Sequence, residues 1–182
     1  MSYIFLCFVL LCIVPASVHA ELNAKQRAEL YLDEYVKGLG ASLIDGKWVV
    51  TRKESAMGDR TTLTVSLLRD GGAQEFDGSL FEMLCRDNEI GVGFGFFGKN
   101  MGHGVKTFEY KIDDQPIKKE NWLAVGVGLG SLDPFAFLKS LVGKKRLVVR
   151  AYPVTGGSAE MIFDIEGIER ILPLIQNECG WK

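Results

Sequence analysis

The most constraining feature of this sequence is a succession of short stretches in which apolar and polar residues alternate, each closed by a turn signal. Thr61–Leu68 is the clearest: Leu63, Val65 and Leu67 alternate with Thr62, Thr64 and Ser66. A period of two places one set on a buried face and the other on the opposite face of a strand. The same grammar runs through residues 48–51, 80–86, 90–97, 105–112, 122–127, 146–152 and 159–165. Between them stand turn signals: Gly58 with Asp59, Gly71 with Gly72, Asp87-Asn88, Asp113 to Pro116, and Thr155-Gly156-Gly157. Strands joined by short turns pair antiparallel. A glycine-rich loop is expected over 98–104.

Three stretches read as helices. Residues 22–40 carry an apolar stripe of Ala24, Ala28, Tyr31, Leu32, Tyr35 and Val36, with Asn23 to cap the start and Gly38 and Gly40 to stop it. Near residue 133, Asp133 is placed to cap a helix and Pro134 to occupy its first position. Phe135, Leu138, Leu141 and Val142 form its apolar face and Gly143 ends it. At the end of the chain Ile165, Ile168, Ile171, Leu172 and Ile175 recur at helical spacing. The expected fold class is α+β, mainly β: an antiparallel β-sandwich-like domain with an N-terminal helix, a mid-chain helix and a C-terminal helix.

Residues 1–20 read as a secretory signal peptide. An almost wholly apolar run over 3–14 is too short to span a bilayer comfortably, Pro15 breaks it, and Val18-His19-Ala20 fits a small-x-small cleavage pattern. The n-region lacks Lys and Arg, a departure from the usual pattern. A lipoprotein cysteine at Cys12 and an uncleaved anchor are the alternatives; Leu11 stands where the first needs a small residue. Beyond the signal come residues 21–46, an N-terminal helix and linker, and then 47–182 as a single β-rich domain. A mature chain of about 160 residues suits one such core.

Cleavage would remove Cys7 and Cys12 and leave Cys85 and Cys179. An even count in an exported chain reads as a disulfide, closing a loop of roughly 95 residues and worth about 4–5 kcal/mol in the chain-entropy model. Two buried free thiols are the alternative. Two cysteines and His103 do not make a zinc site, and no metal or cofactor is expected. A formal net charge of −2 gives no electrostatic case for nucleic acid or an anionic membrane. No later apolar run is long enough for an integral membrane segment.

Several motifs reduce to plainer readings. Gly93 to Gly98 matches G-x-G-x-x-G, but the dinucleotide fingerprint needs those glycines between a strand and a helix. Here they interrupt an alternating apolar run, as do Gly126, Gly128 and Gly130. Glycines on one strand face let a helix, another sheet or a partner pack closely. His103 has the chemistry of a general base, yet no nucleophile elbow accompanies it, and an exposed surface histidine is the plainer reading. Asp113 and Asp114 lack calcium-loop spacing and read as a solvated turn. No catalytic residue is assigned. Ile90, Val92, Phe94, Phe96 and Phe97, with His103, form a candidate docking surface if exposed, and core if buried.

With the strands placed, the chain resembles the TagO/VasI-like family of type VI secretion-associated proteins. The resemblance runs from Trp48 to Trp181. It is carried by Trp48, Asp59 before the next strand, and Cys85-Arg86 closing a strand. Phe108 to Asp113, Trp122, Phe163 to Ile168 and Cys179-Gly180-Trp181 complete it. The N-terminal helix and the glycine-rich segment 91–104 depart from the family pattern. The resemblance implies an exported bacterial protein, periplasmic or secreted, acting as a non-catalytic accessory that binds an envelope protein. A cell-wall-active hydrolase or small-molecule binder, or an inhibitor of a wall-degrading enzyme, is the competing expectation.

Overall fold

The computed structural model describes residues 40–58, 60–68 and 79–180. The expected signal peptide, the helix over 22–39, the turn at Gly71-Gly72, Asp59 and Trp181 lie outside the described residues. The described chain runs β1 (Ser42–Ile44), β2 (Trp48–Glu54), β3 (Thr61–Leu68), β4 (Leu80–Arg86), β5 (Glu89–Gly95), β6 (Gly102–Ile112), β7 (Lys118–Gly126) and β8 (Gly128–Ser131). Helix α1 (Pro134–Leu141), β9 (Arg146–Ala151), β10 (Ala159–Asp164) and α2 (Ile168–Cys179) follow.

All ten strands join one antiparallel sheet in the order β1-β2-β3-β4-β5-β8-β7-β6-β9-β10. The mainly β fold with a mid-chain and a C-terminal helix is as expected from the alternation. The sandwich-like closure comes from curling. The Phe163 ring of β10 lies 5.6 Å from that of Phe94 in β5. In a flat sheet those strands would stand five ladder spacings, roughly 24 Å, apart. An ion pair fastens the two ends of the curl, Lys47 to Asp164 at 2.8 Å, and a second ties the β1–β2 turn to α2, Asp45 to Arg170 at 2.7 Å.

The inner face is aromatic. Phe81, Phe94, Phe108, Tyr110 and Trp122 come from four strands and are buried. Helix α1 drives Phe137 into their midst, edge-on to Trp122 at 5.0 Å and to Tyr110 at 5.3 Å. Such edge-to-face pairs align ring edges with π faces. Asp133 caps α1, accepting from the Ala136 amide at 3.0 Å, and Pro134 opens it. Burial of Tyr110 and Trp122 is made tolerable by Glu120, which accepts from both the Tyr110 hydroxyl and the Trp122 indole N–H. Trp48 is fully buried, and its indole N–H has no acceptor among the described residues.

Helix α2 lies against the inner face of β3 to β5, burying Ile168, Ile171, Leu172 and Ile175. Cys179 at its end is disulfide-bonded to Cys85 in β4, with Cα atoms 5.7 Å apart and a sequence separation of 94. Among the described residues no helix is long and apolar enough to cross a membrane.

Some local expectations shift. β1 falls in the stretch read as linker and pairs with β2, so the sheet begins before residue 47. The expected loop over 98–104 ends early, because Gly102, His103 and Gly104 already belong to β6. The strand expected over 122–127 begins at Lys118, and β8 is an additional strand. Asp87-Asn88 turns β4 into β5 with both residues at positive φ, as a two-residue hairpin requires. Asp113 is structural: its carboxylate accepts from the Arg146 and Lys145 amides at 2.9 and 3.0 Å. Those bonds, Arg146 first, hold its pKa below the ordinary value.

Candidate functional site

Strand β5 places Val92 and Phe94 inward and Gly91, Gly93 and Gly95 outward. Strand β8 does the same with Leu129 inward and Gly128 and Gly130 outward. The two strands pair Gly93 with Gly130 and Gly95 with Gly128. Four side-chain-free positions therefore form a two-by-two block on the outer face. The sequence shows why the block is possible. Gly126 takes φ 60° and, with Val127, makes the two-residue turn that folds β8 back on β7.

The block is the floor of an open groove of about 390 Å³. One wall is Leu80 and Glu82 of β4; the other is Leu123 and Val125 of β7. Phe97 and Val127 stand at one end. Phe97, Leu123, Val125 and Val127 are 49, 43, 59 and 44% exposed, a cluster of apolar side chains facing solvent. Two of the glycines have different reasons to be glycine. A Cβ at Gly93 would come within 2.8 Å of the Leu129 carbonyl oxygen, so a side chain there would force β5 and β8 apart. A Cβ at Gly130 would meet nothing closer than 3.9 Å. That position is open to solvent, and only the groove loses by filling it.

Glu82 is the single charged group in the groove lining. It is half-buried, and burial pushes its carboxyl pKa above the ordinary value. It has neither a hydrogen bond nor an ion pair among the described residues. In register it sits between Ser66 of β3 and Gly93 of β5.

A second cluster occupies the outer face at the other end of the curl. Register places Lys119, Glu109, Arg150 and Glu160 in one row across β7, β6, β9 and β10. Their signs alternate. Lys119 to Glu109 is 2.8 Å, Arg150 to Glu109 is 3.3 Å and Arg150 to Glu160 is 2.8 Å. The Lys119 ammonium beside Glu109 is the main reason that this carboxyl stays below its ordinary pKa. A small cavity of about 120 Å³ beside the row is lined by Glu109, Arg150 and Glu160 of that row together with Lys111 and apolar side chains. Nothing in this row is left to bind.

The candidate docking residues separate accordingly. Val92, Phe94 and Phe96 are 4, 2 and 1% exposed, so of the two readings, docking surface if exposed and core if buried, these three take the second. The reason is that the apolar set of β5 packs on the aromatic interior and its glycines face out. Ile90 packs partly against the core. Phe97 lines the groove. His103 is exposed on β6 opposite Val125, one strand beyond the groove wall. Among the described residues no acid or hydroxyl is hydrogen-bonded to it. Leu80, Glu82, Leu123 and Val125 escaped sequence reasoning. The available signal was the pair of alternating glycine runs, which become one surface only when β5 and β8 are recognised as neighbours.

Comparison of the chain with protein-family models, with characterised proteins and with solved structures found no match.

Proposed function

We propose that this chain is an exported, non-catalytic accessory protein that binds another protein of the bacterial envelope, as the type VI secretion-associated proteins it resembles are expected to do. The observation that carries the reading is the apolar, glycine-floored groove on the outer face of β4, β5, β8 and β7. Clustered exposed apolar side chains are costly in water and mark surfaces that become covered. A bare backbone floor lets a partner approach more closely than a floor of side chains would. The Cys85–Cys179 disulfide is compatible with an oxidising compartment, periplasmic or extracellular.

The test places a photo-crosslinking side chain at Val125 in the full chain within an exporting bacterium, with Lys111 as a control position. One envelope protein captured from Val125, absent from Lys111 and lost on Leu123→Glu, is the expected result. Equal capture from both positions, or none from Val125, overturns the reading.

One observation favours small-molecule binding instead: about 390 Å³ falls within the range of ligand pockets. His103, the reactive group that a hydrolase reading uses, lies one strand outside the groove lining, and a catalytic version of the reading requires loss of function on His103→Ala. An unchanged phenotype removes it.

A further inference from the structure

Among the described residues Glu82 and Glu89 are the outer-face carboxylates without a cation, and of the two Glu89 is exposed whereas Glu82 is half-buried. Glu109, Glu160, Asp164, Asp45 and Glu178 each hold a cation within 2.6–3.3 Å. Among the described residues Glu82 holds none, although it is less exposed than several of them and lies between Ser66 and Gly93 in register. A carboxylate taken part-way out of water without a partner is a standing cost within the free protein. An occupant that brings a cation removes that cost, and one that brings only apolar groups deepens it.

The register supplies the geometry. Glu82, Gly93, Gly130 and Leu123 form one row across four strands. Glu82 and Leu123 are three ladder spacings apart, roughly 14 Å. The two positions between them carry no side chains. A polypeptide segment lying along the strands therefore meets an apolar wall on one side and a lone carboxylate on the other.

We infer that the groove takes a segment of a partner protein that presents one Lys or Arg beside apolar side chains, with the cation seated on Glu82 and the apolar groups against Leu123 and Val125. This rests on the protein-binding reading and names the chemistry of the partner. Charge complementarity selects the segment, while the glycine floor sets how closely it lies.

The test uses seven-residue peptides displayed on phage, selected on the full, oxidised chain and counter-selected on the Leu123→Glu variant. The expected outcome is a consensus with one basic residue flanked by apolar ones. The synthetic consensus peptide should bind Glu82→Gln at least tenfold more weakly than the parent. A peptide with its basic residue changed to Glu should lose binding to the parent and regain it on Glu82→Lys. Near-ultraviolet circular dichroism identical to the parent shows that the variants keep the fold. A consensus without a basic residue, or unchanged affinity for Glu82→Gln, overturns the charge pairing but leaves groove docking standing. No Leu123-dependent enrichment overturns both. Tighter peptide binding on Leu32→Glu identifies the chain's own N-terminal segment as the occupant, and a dimer dispersed by Leu123→Glu identifies a second copy; either result overturns a partner protein.

Discussion

Two regions of the same outer face were built by opposite rules. Across β7, β6, β9 and β10, the row Lys119, Glu109, Arg150 and Glu160 alternates in charge, and every member is paired. Across β4, β5, β8 and β7, the row Glu82, Gly93, Gly130 and Leu123 holds a carboxylate unpaired among the described residues, two bare backbones and an exposed leucine. Both are four-residue rows set by register on one sheet. The first satisfies itself. The second leaves apolar surface exposed and a charge unpaired among the described residues. Surface that satisfies itself serves stability, and surface that does not is available for recognition.

The largest effect expected concerns how the groove wall is held. The Cys85–Cys179 bond ties α2 beneath β4, which carries Leu80 and Glu82, whereas the charged row has no part in β4. Cys179→Ser should cost about 4–5 kcal/mol by the chain-entropy model, measured by denaturant unfolding. Hydrogen exchange should show faster opening in β4 and α2 than in β9 and β10. Uniform acceleration would mean that the two regions are not separately supported.

Next in size, Gly93→Ala should destabilise by about 1–3 kcal/mol, as overpacking does, because its Cβ meets the Leu129 carbonyl oxygen at 2.8 Å. Gly130→Ala should change stability by less than about 0.5 kcal/mol, and it should weaken the partner binding proposed for the groove. Thermal melts of the two variants separate a glycine kept for the fold from one kept for the surface. Equal destabilisation would erase that distinction.

The two carboxylates should then respond to pH with opposite sign. Glu109 has its folded pKa held below the ordinary 4.5. Its contribution to stability is fully present above that value and is lost as pH falls through the folded pKa. Glu109→Gln should therefore destabilise at pH 7 and converge on the parent in acid. Glu82 has its folded pKa raised above 4.5 by burial. The parent should gain stability as pH falls through the raised value, relative to Glu82→Gln. At pH 7 Glu82→Gln should equal or slightly exceed the parent, within about 1 kcal/mol. Melting curves of parent and variants from pH 3 to 8 check both. A loss of stability on Glu82→Gln at neutral pH would show that the carboxylate has a partner in the free chain.

Much of this architecture was legible from local pattern. Thr61–Leu68 alternates in burial as it alternates in sequence. Asp133 caps α1 through the Ala136 amide, and Asp87-Asn88 turns β4 into β5. Cysteine counting paired Cys85 with Cys179. The site was only partly legible. Alternation in β5 separates Val92 and Phe94 from Gly93 and Gly95, but it does not say which set faces solvent. The larger residues drew attention to themselves and proved to be core. Glu82 looked like an ordinary strand residue because nothing local reveals that it has no cation.

The sequence by itself determined the alternating strands, the helix ends, the tight turns and the disulfide. Those depend on side-chain period, backbone conformation and chemistry within a few residues, or on a count. Only the tertiary structure decided that β5 pairs with β8 rather than β6, that the sheet curls until Phe163 meets Phe94, and that two glycine runs merge into one floor. Strand partners are chosen by how the whole apolar set can be buried at once. Glycine adds no side chain to that burial and is left facing water, and at Gly93 the missing side chain is also what lets β5 lie against β8.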